Sequence, residues 1–173
     1  MPVDSPTLPR TCAEPASVAT RPPAIPGLDI LTAAAAGRRT ALAAVLDYTH
    51  RFVTSYCRAT LGPDPASDQL AAQLSTTITT GWPAARSAGR DFLEFAYSSA
   101  LRAVRLCRYE LPEPQFLGPL TDRQREVLTL RVPVGLSPLE TAVALDIPVR
   151  TVHRETRRAF AALGTRPPLD RVA

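Results

Sequence analysis

Few side chains in this sequence are equipped for bond chemistry. His50 and His153 are its two histidines, and Cys12, Cys57 and Cys107 its three cysteines. Nucleophilic catalysis needs a hydroxyl or thiol beside a placed base, and neither histidine sits in a supporting motif. The cysteines are odd in number, widely spaced and free of any CxxC or Cys/His ligand pattern. That argues against both a disulfide framework and a zinc site, and His153 fits a polar groove residue better than a metal ligand. No paired carboxylates stand out, and no glycine loop is built to cradle phosphate. The expectation is a protein that is no enzyme, with no catalytic residue, metal or cofactor.

The remaining chemistry is that of guanidinium groups. The chain has 20 basic side chains, all arginine, against 16 acidic ones, a net charge of +4. This balance is compatible with nucleic acid without being diagnostic of it. Four of the arginines crowd into Arg150–Arg158, within "RVPVGLSPLETAVALDIPVRTVHRETRRAF", Arg131 to Phe160. Two helices joined by a turn are expected there. Ser137 and Glu140 form a capping box with Pro138 at the first helical position. Asp146 ends that helix at a turn needing a left-handed or bridging residue, which Asp tolerates. Pro148 then opens a helix running from about Val149 to Leu163.

A helix-turn-helix needs small residues where the helices cross, here Ala142 and Ala144. It needs apolar residues to join them, here Leu136, Val143, Leu145, Ile147 and Val152. It also needs a polar outer face on the second helix, which enters the major groove. Arg150, Thr151, His153, Arg154, Arg157 and Arg158 fall on or near that face. Arginine can pair with guanine in two-point fashion or hold phosphate. Arg150, Thr151, His153 and Arg154, nearer the N-terminus, are expected to include the base contacts. Arg157 and Arg158 are expected to meet the backbone.

The elements that must position this motif read as all-α, in two small helical domains after a disordered N-terminal arm. Residues 1–28 form the arm, rich in proline. Residues 29–109 form the first domain, 110–119 a Pro-rich linker, 120–164 the helix-turn-helix domain and 165–173 a tail. Apolar residues make up 45% of the sequence, enough for a core, and aromatic residues only 6%, so Leu, Val and Ala must dominate it. Within the first domain, "DILTAAAAG" predicts a short helix stopped at Gly37. "TALAAVLDYTHRFVTSYCRATLG" predicts a long one, with Leu42, Val45, Leu46, Phe52, Val53 and Tyr56 at helical spacing. "PDPAS" reads as a loop. Ser67 is expected to open "DQLAAQLSTTITTGW", and Pro83 to close it. The Thr-Thr-Ile-Thr-Thr stretch has strand propensity, yet Leu70, Leu74, Ile78 and Trp82 step by four, so helix is expected. "AARSAGR" reads as a loop. "DFLEFAYSSALRAVRLCRY" predicts a further helix, with Leu106 among its apolar positions. Trp82, Phe92 and Phe95 are expected in the core. Tyr97 is open to core packing or to stacking on a base, and Arg86 and Arg90, flanking Gly89, are open to a solvated loop position or to a nucleic-acid contact of the kind the family likeness given below implies. In the second domain, Thr121 and Gln124 form another capping box at the start of "LTDRQREVLTLRV". No apolar run reaches membrane-span length and no secretory signal is evident. A cytoplasmic protein with reduced thiols is therefore expected, and a monomer.

"LTDRQREVLTLRVPVGLSPLETAVALDIPVRTVHRETRRAFAAL" resembles region 4 of the sigma-70 family, above all its small extracytoplasmic-function (ECF) group. The matching pattern is "QREVLxLRxxxGLSxxETAxxLxIPxxTVxxxxxRAxxxL". LuxR-type response regulators share "REVL" and "GLS", usually one residue closer together, so the spacing favours sigma. Upstream, "SDQLAAQLSTTITTGWPAARSAGRDFLEFAYSSALRAV" is similar to sigma region 2 of actinobacterial type, through Asp68, Leu70, Pro83, Arg86, Gly89, Arg90, Phe92, Leu93, Phe95 and Tyr97. The resemblance implies a factor that directs RNA polymerase to promoters, with region 4 reading the −35 element. It implies promoter DNA and core RNA polymerase as partners, and allows an anti-sigma factor.

Three departures accompany the likeness. The acidic polymerase-facing patch of the family reads here Asp68, Gln69, Ala72 and Gln73, with one acid kept. Leu106 stands where an Asp is common. The linker is short. These departures favour the alternative reading, a degenerate sigma-like helix-turn-helix regulator that no longer initiates transcription.

Overall fold

A computed structural model describes residues 24–108 and 120–164. Among them are seven α-helices and no strand, in agreement with the all-α expectation. Most of the arm, the linker and the tail lie outside the described residues.

α1 (Leu28–Ala35) is the expected short helix, and Gly37 follows it at φ 79°. α2 (Arg39–Leu61) ends at Gly62, φ 105°. Its buried face carries Val45, Tyr48, Phe52, Val53 and Tyr56, one stripe at helical spacing. Leu46, expected to share that face, is exposed instead, as is Leu106 further on.

α3 (Pro65–Ser87) departs from expectation at both ends. It begins before Ser67: Asp64 is the N-cap, accepting a 2.9 Å hydrogen bond from the Ser67 amide, and Pro65 takes the first helical position. "PDPAS" is thus the capped start of a helix rather than a loop. At the other end, Pro83 does not close the helix, and Ala84 to Ser87 of the expected loop are helical. Proline inside a helix removes an N–H and presses on the preceding turn, at about 3 kcal/mol. Packing outweighs that cost. Ile78, Trp82 and Ala85 are all buried around it, and each large apolar side chain buried contributes about 1.5–3 kcal/mol. The Trp82 indole N–H also donates to the Leu31 carbonyl at 2.9 Å, and Arg86 donates to the Thr32 hydroxyl at 2.8 Å. α1 therefore clamps the helix on both sides of the proline.

α4 (Phe92–Arg108) starts where Asp91 accepts from the Leu93 amide at 2.8 Å. It crosses α3 closely at Gly81, where a β-carbon would lie 3.1 Å from the Phe95 ring. Trp82 meets Phe92 edge-on with ring centroids 5.1 Å apart, and Tyr56 meets Tyr97 edge-on at 5.7 Å. Trp82 and Phe92 are core, as expected; Phe95 is partly buried against it, and Tyr97 is core as well.

α5 (Asp122–Arg131), α6 (Pro138–Leu145) and α7 (Val149–Ala162) make the second lobe. The turn between α5 and α6 uses Gly135 at φ 81°, and the Arg131 guanidinium donates to the Leu136 carbonyl across it at 2.6 Å. The largest core cluster runs through α1–α4 and also takes in Leu130, Val134, Leu136 and Ala144. Arg105 of α4 and Glu126 of α5 add an ion pair at 3.4 Å between the lobes.

Candidate nucleic-acid interface

The helix-turn-helix is built from local rules that the structure bears out. Both capping boxes are closed. Gln124 accepts from the Thr121 amide at 3.0 Å and Thr121 from the Gln124 amide at 3.3 Å. Glu140 accepts from the Ser137 amide at 2.6 Å and Ser137 from the Glu140 amide at 3.2 Å.

The turn between α6 and α7 rests on Asp146, whose φ of 49° and ψ of 53° are left-handed. Around it the Asp146 amide bonds the Val143 carbonyl at 3.2 Å and the Ile147 amide bonds the Ala142 carbonyl at 3.0 Å. Those two bonds are the Schellman pattern, and Ile147 packs with Ala142 as that pattern favours. This turn fixes the direction in which α7 leaves α6.

The contacts within the motif divide differently from the sequence expectation. Val127, Ala142 and Val152 form the centre of the helix crossing, with Leu145, Ile147 and Val149 around them. Leu136, Val143 and Ala144 pack toward the larger cluster shared with α1–α4. α6 is thus apolar on two sides: one holds α7, the other holds the front lobe.

α7 has a sharp division of faces. Val152, Glu155 and Ala159 are buried. Arg150, His153, Arg154, Arg157 and Arg158 are exposed, a stripe spaced three and four apart. Thr151 is half-buried, with its amide bonded to the Pro148 carbonyl at 2.8 Å. The structure therefore brings five of the six expected residues onto one open face and sets the sixth at its edge. α7 packs on α5 and α6, leaving the arginine stripe outward.

Sequence reasoning missed one member of this group. Glu155 lies on the buried stripe of α7 at 8% exposure. Its Oε1 accepts from Arg154 Nε at 3.0 Å and lies 3.7 Å from a terminal nitrogen of Arg158. The signal was present: an acid at the inward phase of an otherwise basic helix.

On the front lobe, Asp68, Gln69, Ala72 and Gln73 lie together along α3, with Gln69, Ala72 and Gln73 exposed and Asp68 partly so. The Asp68 carboxylate is gripped two-point by Arg58, at 2.7 and 2.8 Å. The guanidinium holds the Asp68 carboxyl below the usual carboxylate range. The one acid of this patch is thus charge-paired within the chain. Arg86 and Arg90 are also engaged internally: Arg90 bonds Glu94 at 2.7 Å and lies over the Phe95 ring. Cys57 is buried, and burial pushes its thiol up to about 11. No cluster among the described residues could hold a metal ion. No described helix is long and apolar enough to cross a membrane.

Helical lobes sharing a core, the second a helix-turn-helix with an open arginine face, define a helix-turn-helix protein of the DNA-binding class. Residues 115–163 match the family described as sigma-70, region 4. The chain is 32% identical to the ECF RNA polymerase sigma factor SigD of Mycobacterium tuberculosis (strain ATCC 25618 / H37Rv), over 78% of this chain and 80% of that protein. SigD of Mycobacterium bovis matches to the same extent. Among solved structures, CnrH in complex with the cytosolic domain of CnrY shares the fold, with a TM-score of 0.57. That match has 22% identity and spans 79% of this chain and 93% of the CnrH chain. The chain belongs to the ECF group of RNA polymerase sigma factors.

Proposed function

We propose that this protein, as an ECF sigma factor, directs RNA polymerase to promoters, with α7 docking in the major groove of the −35 element. The observation that carries the second part is the open stripe of α7. Four arginines and His153 point away from the lobe, at the pitch a groove-bound helix requires. Arg150, Thr151, His153 and Arg154 lie in its first turns and contact bases; Arg157 and Arg158 hold phosphates. The division into residues 29–109, 110–119 and 120–164 follows the two roles, polymerase and −10 element in front, −35 element behind. Asp68, Gln69, Ala72 and Gln73 form the polymerase contact on α3. CnrH is solved with the cytosolic domain of CnrY; by analogy an anti-sigma partner belongs to the proposal for this chain.

The test joins co-elution with core RNA polymerase to transcription from a promoter library. New transcripts sharing a −35 sequence are expected. Duplex affinity falls with salt by about 0.9 log units per phosphate neutralised, per log unit of salt. Arg154→Ala relaxes base preference, whereas Arg158→Ala weakens all sequences alike. Equal loss on every sequence for both variants overturns the division of labour. Duplex binding without transcription leaves a helix-turn-helix regulator.

A further inference from the structure

We propose that Glu155 is a positioning residue for DNA recognition: it holds the Arg154 and Arg158 guanidinium groups in their DNA-facing geometry before DNA arrives. The inference rests on the reading of α7 as the base-contacting helix.

Glu155 occupies an odd place. It shares the inward stripe of α7 with Val152 and Ala159. A carboxylate there loses most of its water, which is costly unless cations and hydrogen bonds replace it. The replacements are two residues of the proposed DNA surface. Arg154 donates through Nε at 3.0 Å, and Arg158 brings a terminal nitrogen to 3.7 Å of the same oxygen. Both arginines are largely exposed, with side chains 55% and 64% accessible, while the Glu155 side chain is 10% accessible. The acid is anchored; the cations are the parts otherwise free to move.

Spacing makes the Arg154 contact informative. Adjacent helix residues do not face one another. Arg154 therefore reaches around the helix to Glu155, and that bond constrains its guanidinium plane. Arginine has five N–H donors in a rigid fork. Using Nε on Glu155 leaves the two terminal nitrogens as the edge that can address guanine O6 and N7 together. Arg158, one turn on, meets the carboxylate at longer range and suits a phosphate on the adjoining backbone. Pre-setting both side chains removes rotamer entropy from the binding step.

A structural role alone would make Glu155 important for folding and indifferent to sequence. A positioning role couples it to base choice, so the experiment measures discrimination. Wild type, Glu155→Gln, Glu155→Asp and Arg154→Ala are compared on a duplex library varied at the −35 position that Arg154→Ala relaxes. Loss of the grip lowers discrimination at that position roughly ten-fold in Glu155→Gln. Removing the negative charge also tightens binding to non-cognate duplex. Glu155→Asp keeps the charge but shortens the reach, so it loses discrimination without that gain. In an Arg154→Ala background neither change at Glu155 alters discrimination further. Should the variants unfold, the wild-type protein still decides: its Arg154 Nε–H gives a resolved, exchange-protected NMR signal if the grip exists in solution. Equal weakening on all sequences, unchanged discrimination or an unprotected Nε–H overturns the inference. A wild-type protein with no −35 base preference overturns instead the reading of α7 on which it rests.

Discussion

Asp146 carries the angle between the two helices of the DNA-binding motif, and its substitution gives a graded prediction. Its left-handed backbone, φ 49°, is set by the two bonds that close α6 on the Ala142 and Val143 carbonyls. An L-residue pays about 1–2 kcal/mol for this conformation, least for Asp and Asn and most for a β-branched side chain. Asp146→Asn is therefore expected to be close to neutral. Asp146→Gly relieves the folded-state strain but widens the unfolded ensemble by a similar amount, so it changes stability by less than about 1 kcal/mol. Asp146→Val pits a branched β-carbon against the turn and costs about 1–2 kcal/mol beyond Asp. For a chain of this size each kcal/mol moves the melting temperature by about 2–4 °C, so Asp146→Val melts roughly 2–8 °C lower. Differential scanning calorimetry and urea unfolding measure this, with an unchanged m-value showing that only stability moved. The same variant loses −35 affinity out of proportion, because α7 leaves α6 at the wrong angle. If Val is tolerated as well as Asn in both assays, the argument that the left-handed residue sets this turn is refuted.

Four further outcomes follow from named contacts. Trp82→Phe removes the second donor to the Leu31 carbonyl, which keeps its bond within α1, and thins the contact with Phe92; a loss of about 2–3 kcal/mol in urea unfolding is expected, and under 1 kcal/mol would mean the bond does little. Arg58→Ala releases the Asp68 carboxylate, so association with core RNA polymerase becomes faster and more salt-dependent if α3 meets a basic surface. Slower association in surface plasmon resonance would show that Arg58 itself contributes to the contact. In the same variant the Asp68 carboxyl moves back up toward its ordinary value, since the lowering comes chiefly from the Arg58 hydrogen bonds, with a smaller contribution from His50. In the native protein that pairing acts above the unfolded carboxylate range and is lost as pH falls through the lowered value. Cys57, buried with its thiol raised to about 11, stays unlabelled by iodoacetamide at neutral pH until the chain unfolds. Rapid native labelling, mapped by mass spectrometry, would contradict the core placement.

Much of α7 and of the turn before it was legible in the sequence. The two capping boxes, the left-handed Asp146 and the outward stripe Arg150, His153, Arg154, Arg157, Arg158 all depend on neighbours at most five apart along the chain. Such interactions are written in the spacing itself, because a helix places i, i+3 and i+4 together whatever surrounds it. The departures are of two kinds. Pro83 signals a helix end by local rules that packing overrides, whereas the start of α3 is itself local: Asp64 caps Ser67 three residues on and Pro65 takes the first helical position, a capped start whose composition resembles a loop.

Local chemistry alone therefore determined an all-α chain with a capped helix-turn-helix and an arginine face. Tertiary structure decided the rest. It carried α3 through Pro83, because α1 reaches across 51 residues of chain to bond Trp82 and the buried apolar surface outweighs one broken helical bond. It turned Leu136, Val143 and Ala144 toward the front lobe rather than toward α7. It paired Asp68 with Arg58, ten residues away across a turn, and it made Glu155 an inward acid gripping two outward arginines. Periodicity says which face of a helix is apolar. Only packing says what covers that face, because the hydrophobic effect is non-directional and rewards any partner that excludes water.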